Sequence, residues 1–511
     1  MTQSENSPGS IVLSTTIPYV NARPHVGFAL EVCQADALRR HFLARGFTVH
    51  ASTGSDDHSL KNVRAAAARG QELGEFIAEN CAAFEALPQL LEARFDDFVS
   101  TSRDARHAES VAALWSACAA RGDLVRRSYS GQYCVGCEQF YRPEELLDGN
   151  CPEHARPTEL VTEENWFFRL SRYQQELEEL IETDRLQILP RHRKAEVLSF
   201  VRRGLEDFSV SRSAARARDF GLRVPDDDGQ VVYVWFDALA NYLTTCGYGG
   251  AARRTLWHEA EQRVHVLGKG VTRFHAVYWP ALLLSAGLPL PNQLRVHAYL
   301  TFEGRKIGKS AGNAIDVEEL VREYGTSALR YYLLRHLSSG QDADFSRERL
   351  VQAHDGELAD ELGNLVLRVL TLVRRLPPTV HQSEPTEAEL ALEALALGVR
   401  ERVDAALAEH ELAQAFDEVW KLVRASNRYL EQAQPWRLRD EPRLATVLST
   451  ALGALRVLSL ELEPFLPDVC QRLRLAVATP SGVNSTQFRA LDSLHGAFPE
   501  PTRLVPKLSK S

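Results

Sequence analysis

Four residues between positions 134 and 154 have the types and spacing of a metal site. Cys134 and Cys137 are two residues apart in the intervening chain, as are Cys151 and His154. Two such pairs on tight turns offer four ligands to one tetrahedral Zn²⁺. Four filled positions leave no opening for water, so the expected zinc is structural. A second chemistry is offered by His25 and Gly27 in "TTIPYVNARPHVGFALE", where a strand-like opening gives way to an amphipathic helical pattern. A helix start carries unpaired N–H groups and the positive end of the peptide dipole, a natural seat for phosphate. The plainer reading of His25 is a helix cap or a core residue. A third element, "GRKIGKSAGN", sets Lys306, Lys309 and Ser310 among glycines in a loop able to close over polyphosphate. Taken alone it also reads as a solvated turn.

The elements that must position these residues alternate along the first part of the chain. Strand-like "IVLST" is followed by a helix from His25 to about Arg45, strand-like "FTVHAST" and helical "LKNVRAAAARG". This is the rhythm of a parallel sheet, whose ligands sit beyond the carboxyl ends of its strands. Around Asp123 the rhythm stops and the cysteine-bearing stretch follows. It resumes with "VVYVWFDALANYL", "VHVLGKG", "FHAVYWPALLLSAG" and "LRVHAYLTF". Beyond about Phe345 the spacing is helical, as in "ELADELGNLVLRVLTLVRR" and "LATVLSTALGALRVLSLELEPF". The fold class is therefore α/β: a Rossmann-like parallel sheet split by a zinc-bearing insertion, then an all-α helical bundle. The 511 residues exceed a single core. Eight cysteines in so long a chain do not make a disulfide framework, and a net charge of -9 argues against loose nucleic-acid binding. A local basic track such as Pro190–Gly204 stays open beside its reading as a solvated face. No basic, apolar leader opens the sequence, and no apolar run reaches the roughly 18 residues needed to span a bilayer. A cytoplasmic protein without a membrane partner is expected.

In their order along the chain, the His-x-Gly start, the cysteine insertion, the Lys-x-x-Lys-Ser loop and the helical C-terminal part resemble the class I aminoacyl-tRNA synthetases, specifically the methionyl-tRNA synthetases. The strings "IPYVNARPHVG", "YCVGCEQFY", "NWFFRLSRY", "VVYVWFDAL" and "YGTSALRYYLLR" add to the likeness, which runs from about Ile11 to Trp436. It implies activation of L-methionine with ATP to methionyl-adenylate and transfer to the 3' end of tRNA(Met), with Mg²⁺ accompanying ATP. It also implies a first catalytic half at 1–122, a connective insertion at 123–225 and a second catalytic half at 226–300. The loop and a stem-contact region follow at 301–348, and a helical anticodon-binding domain at 349–511. By the same resemblance, His25, Lys306 and Lys309 serve catalysis, and with Gly27, Gly268 and Ser310 they bind ATP. Asp56 pairs with the substrate ammonium. Ile17, Tyr19, Trp235, Ala238, Leu239, Tyr242, Val271, His275, Tyr278 and Trp279 line the methionine side-chain pocket, where a polarizable thioether packs well against aromatic rings. Asn364, Arg368 and Trp436 read the anticodon, Arg212 lies near the acceptor end, and Cys134, Cys137, Cys151 and His154 hold the zinc. A monomer is expected.

The sequence departs from the family pattern at four positions around ATP. Phe28 replaces the second histidine of H-x-G-H, Gly308 the first serine of the lysine loop, Gly270 an aspartate near the ribose, and Ser59 a glycine after "DDH". Loss of one charge-assisted phosphate donor costs about 1.5 to 3 kcal/mol, a slowdown of about ten- to a hundredfold. A working but divergent enzyme is expected, a specialised second copy among its readings. Two alternatives stand beside it: an adenylate-forming ligase with a non-tRNA acceptor, and a non-catalytic tRNA-binding protein. Methionine occurs once, at position 1. Compositional bias explains this, and so would a need for synthesis when methionyl-tRNA is scarce.

Overall fold

The computed structural model describes residues 9–134, 139–141, 143–152, 155–251, 255–302, 304–307, 315–337, 340–377, 380–477, 488–489 and 503–508. The chain forms two compact units, one of residues 1–35, 42–89 and 93–297, the other of residues 36–41, 90–92 and 298–511.

The first unit is built on six parallel strands: β1 (Ser10–Ser14), β2 (Thr48–Ser55), β3 (Asp97–Ser100), β4 (Gln187–Leu189), β5 (Gln262–Gly268) and β6 (Gln293–His297), in the spatial order β3-β2-β1-β5-β6-β4. Their central residues, among them Ile11, Val12, Leu13, Val264, Val266, Leu294 and Val296, are buried, as a parallel sheet covered on both faces requires. Because β1 lies between β2 and β5, the chain reverses its direction of sheet growth there, and the carboxyl ends of β1, β2, β5 and β6 surround that switch point. The helix α1 (Val26–Ala44) leaves the end of β1 with no acidic residue in its first turn, so its positive end is not neutralised from within. Strand β4 lies inside the span expected to be wholly insertion; it pairs with β6 and closes one edge of the sheet.

The interrupting segment builds its own antiparallel sheet, in which Leu124–Cys134 and Glu159–Phe168 pair along ten residues and Gln139–Tyr141 and Phe208–Ser209 flank them. A helix over Val234–Thr244, α2 below, returns the chain to the parallel sheet's neighbourhood, and a π-wound turn at Phe274–Tyr278 runs into the helix Trp279–Ala286.

In the second unit a small sheet of Leu300–Phe302, Arg305–Lys306 and Ala343–Asp344 accompanies a succession of helices from Val317 to Val477. Arg330, fully buried, pairs with Asp36 at 2.8 Å and donates to the carbonyls of Leu91, Pro464 and Phe465, which explains why residues 36–41 and 90–92 belong here. Glu441–Glu461 is long and apolar enough to cross a membrane by length and composition. With 89% of its apolar window buried inside the structure, it is a core helix.

Candidate active site

The cleft at the switch point is assembled from strand ends and the residues just beyond them. His25 and Gly27 open α1. The Gly27 N–H donates to His25 Nδ1 at 3.0 Å, which puts the ring proton on Nε2 and makes that atom the ring's donor. A Cβ at Gly27 would lie 2.8 Å from His25 Cε1 and 3.0 Å from Nδ1, so glycine lets the imidazole fold back over the helix start. One turn on, Glu31 accepts from both the N–H and the hydroxyl of Thr16, at 2.7 and 2.5 Å, and its other oxygen meets His297 Nε2 at 2.9 Å. This carboxylate clamps the exit of β1 to the end of β6. Gly268, at the end of β5, sits so close to His297 that a Cβ would be 3.3 Å from its Cε1.

Phe28 takes no part in this polar group. Its ring is buried and packs against Phe84 with centroids 5.6 Å apart, so the family's second histidine is replaced here by core packing. The Ser59 side chain accepts from the Lys61 N–H and so caps the helix Leu60–Arg69. Gly270 is exposed.

Asp56, at the end of β2, is 2% exposed; it bridges to Tyr19, and its N–H donates to Pro18 O at 3.0 Å. Gly54, two residues earlier, admits Ile17 and β3: a Cβ there would lie 2.9 Å from Ile17 Cγ2 and 2.3 Å from Val99 O. Lys61 lies over the Tyr19 ring, and Trp235 meets that ring edge-on at 6.5 Å. Trp235, Ala238, Leu239 and Tyr242 recur on α2 at the spacing that places them on one helix face.

Tyr242 and His275 form the buried polar end of this aromatic group. Their Oη and Nε2 are 2.7 Å apart, and His275 Nδ1 lies 2.9 Å from Val271 O. The carbonyl can only accept, so Nδ1 carries the proton and Nε2 accepts from the tyrosine hydroxyl. Burial, opposed only in part by the Val271 carbonyl, holds the His275 pKa down at about 4 and keeps the ring neutral. Burial likewise pushes the Tyr242 phenol up. Behind them Trp279 Nε1 donates to His265 Nε2 at 3.2 Å, and His265 Nδ1 meets Ser14 Oγ at 2.6 Å. Burial and the neighbouring His275 hold His265 well below the usual imidazole range. The Tyr242 ring is 4.2 Å from His265 and 5.7 Å from Trp279. Tyr278 is placed differently from the others. It stacks on Phe208 at 4.3 Å and lines a separate cavity with Arg212, Tyr233 and Arg273. Arg212 is buried among Tyr133, Phe140 and Tyr233 and donates to Ser209 Oγ and Ser211 O.

In the helical unit Asn364 and Arg368 line a cleft of about 540 Å³ with Arg424, Asn427 and Arg428. The Arg368 guanidinium lies 5.3 Å from the ring centroid of Trp436, which is 44% exposed and so presents an aromatic face beside a cation.

Of the four expected zinc ligands, Cys134 and Cys151 are buried in one small cluster with Tyr141, one from each pair, which fits soft donors brought to a common centre. Cys137 and His154 lie outside the described residues, and among the described residues no group of three or more ligands gathers. Lys309, Ser310 and Gly308 also lie outside them. Of Lys306 only the backbone is described, paired across from Thr301.

Sequence reasoning does not single out Glu31, His58, His107, Asp237, His265 or His297. For all of these but His58, which lies in the polar loop before Leu60, the one signal is a charged or imidazole residue set in an otherwise apolar helix or strand, as in "VHVLG".

Comparison with known proteins gives concordant results. The family described as tRNA synthetases class I (M) matches residues 11–159 and 155–370, and the anticodon binding domain of methionyl tRNA ligase matches residues 378–509. A methionine–tRNA ligase from Brucella suis biovar 1 is 37% identical over 505 residues, covering 97% of each chain. One from a Nostoc species is 38% identical, covering 91% of this chain and 89% of its own. The solved structure of Mycobacterium tuberculosis methionyl-tRNA synthetase in complex with methionyl-adenylate superposes with a TM-score of 0.89 at 34% identity, covering 98% of this chain and 100% of that one.

Proposed function

This chain belongs to the class I (M) tRNA synthetases, and from that premise we propose that it activates L-methionine with ATP and transfers the methionyl group to the 3' end of tRNA(Met). The observation that carries the reading is the aromatic pocket ending in the Tyr242–His275 pair, with Asp56 at the neighbouring strand end. A flexible thioether fills such a pocket by dispersion against the ring faces and edges. The Asp56 carboxylate is the counter-charge for the substrate ammonium.

The methionine carboxylate then attacks the α-phosphate and pyrophosphate leaves. No protein nucleophile is needed, so catalysis is positioning and stabilisation of phosphate charge. His25 supplies its Nε2–H at the helix start, Gly27 and Gly268 allow close approach of the nucleotide, and Lys306, Lys309 and Ser310 hold the leaving pyrophosphate. Mg²⁺ bound with ATP supplies further neutralisation of the phosphates. Asn364, Arg368 and Trp436 read the anticodon by stacking and base-edge hydrogen bonds. Cys134, Cys137, Cys151 and His154 hold a structural Zn²⁺, which metal analysis of the purified chain should find at one ion per molecule.

The test is aminoacylation of a tRNA with a CAU anticodon against the same tRNA with an altered anticodon. Methionine-specific charging of the first alone is expected. Absence of charging with both, from folded protein and saturating ATP, would overturn the proposal.

A further inference from the structure

Behind the pocket is a buried polar group that the proposed reaction does not use. Asp237, 1% exposed, faces two imidazoles: Oδ2 lies 2.8 Å from His58 Nδ1, and Oδ1 lies 2.8 Å from His107 Nε2. His107, fully buried, continues through Nδ1 to Thr244 Oγ1 at 2.9 Å. Asp237 and Thr244 are seven residues apart on α2, so they share a face distinct from that of Trp235, Ala238, Leu239 and Tyr242. One face of this helix thus carries pocket residues while another is tied down by charge.

His58 follows Asp56 by two residues, and the segment between is held rigidly. Asn62 Nδ2 donates to the carbonyls of Asp56 and Asp57, at 3.0 and 2.7 Å, and Phe220 packs edge-on against His58 at 5.2 Å. A displacement of His58 is therefore carried to Asp56.

We propose that Asp237 and His58 are positioning residues for methionine: their bridge fixes the strand end bearing Asp56 against the helix bearing the side-chain pocket, setting the distance between ammonium and thioether sites. This rests on the reading of Asp56 and the aromatic pocket given above.

The bridge depends on charge. Burial disfavours a proton on His58, but the carboxylates of Asp237 and Asp57 outweigh burial and raise its pKa. Asp57 is itself held by the hydroxyls of Ser100 and Ser102, His107 stands across Asp237, and Lys61 is drawn over Tyr19. With a raised pKa the protonated ring is favoured. The bridge is complete at low pH and weakens as pH rises through the His58 value, above the ordinary imidazole value of about 6.5.

The experiment measures KM for methionine and for ATP in pyrophosphate exchange across about pH 6 to 9, in the full chain and in Asp237→Asn, His58→Gln and Asp56→Asn. In the unaltered chain KM for methionine should rise with pH while KM for ATP stays level. His58→Gln should raise KM for methionine about tenfold at low pH and flatten its pH profile, with KM for ATP unchanged; Asp237→Asn should do the same if it folds. Superimposable pH profiles in the unaltered chain and His58→Gln would overturn the inference, as would an equal rise in both KM values. If those results accompany a raised methionine KM in Asp56→Asn, this inference alone fails. An unchanged KM in Asp56→Asn overturns the pocket assignment as well.

Discussion

Replacing Gly27 by alanine should separate folding from catalysis. The added Cβ would sit 2.8 Å from His25 Cε1 and 3.0 Å from Nδ1, closer than carbon atoms tolerate. The contact is with a side chain that can swing away, so the cost falls on the imidazole's position and not on the backbone. Alanine removes the entropic cost of glycine within a helix, about 0.5 to 1 kcal/mol, so the variant should unfold no earlier than the original chain. Displacing His25 breaks its 3.0 Å bond with the Gly27 N–H and would turn the Nε2 donor away from where the proposed reaction places the phosphates. One lost charge-assisted hydrogen bond costs about 1.5 to 3 kcal/mol, which slows adenylate formation about ten- to a hundredfold. Methionine-dependent exchange of pyrophosphate into ATP reads this directly. The expected pattern is a lowered kcat, an unchanged KM for methionine and a melting temperature no lower than that of the original chain. Exchange within about twofold of the original rate, well under one lost hydrogen bond, would refute the placing of His25 by Gly27.

Tyr242→Phe should raise KM for methionine about tenfold and lower stability by about 1 to 3 kcal/mol, because it leaves His275 Nε2 buried without its donor; exchange kinetics and thermal melts check both. Arg368→Ala or Trp436→Ala should lower kcat/KM for tRNA about ten- to a hundredfold, at about 1 to 3 kcal/mol per stacked base, and leave tRNA-independent exchange unchanged. Burial opposes the charge of Glu389, but hydrogen bonds from Arg443, Thr386 and Tyr429 outweigh it and hold its pKa down to about 2. Its folded value is thus below its unfolded one, so its contribution is complete above about pH 4.3 and is lost as pH falls toward about 2. Glu389→Gln should destabilise the chain at neutral pH, by circular dichroism during denaturation, and the gap should close in acid.

The parallel sheet was legible because its strands carry local signals: β-branched, buried runs followed by helical spacing with glycine and proline punctuation. The edge strands β3 and β4 were not, since four residues, Asp97–Ser100, and three, Gln187–Leu189, are too few for a period to show. The likeness of short strings to the family pointed to His25, Gly27, Asp56 and Tyr242. The groups that hold them could not be found so, because those pairings join distant parts of the chain. His107 and Asp237 are 130 residues apart and Glu31 and His297 266 apart, and no window of sequence contains both members. Phe28 shows the reverse limit. Sequence reports the loss of a phosphate donor, whereas the structure shows what the ring gains, a place in the core against Phe84. Tyr278 is a like case: the family resemblance implies a pocket-lining role, while in the structure it ends the π-wound turn and stacks on Phe208.

The central claim is that this fold joins methionine to AMP before any tRNA is involved. Incubating the full chain with ATP, Mg²⁺ and labelled pyrophosphate, with and without methionine, tests it most directly. Label should enter ATP only when methionine is present, and slowly relative to enzymes that retain both histidines at the helix start. No methionine-dependent label from a folded chain at saturating substrates would contradict the account.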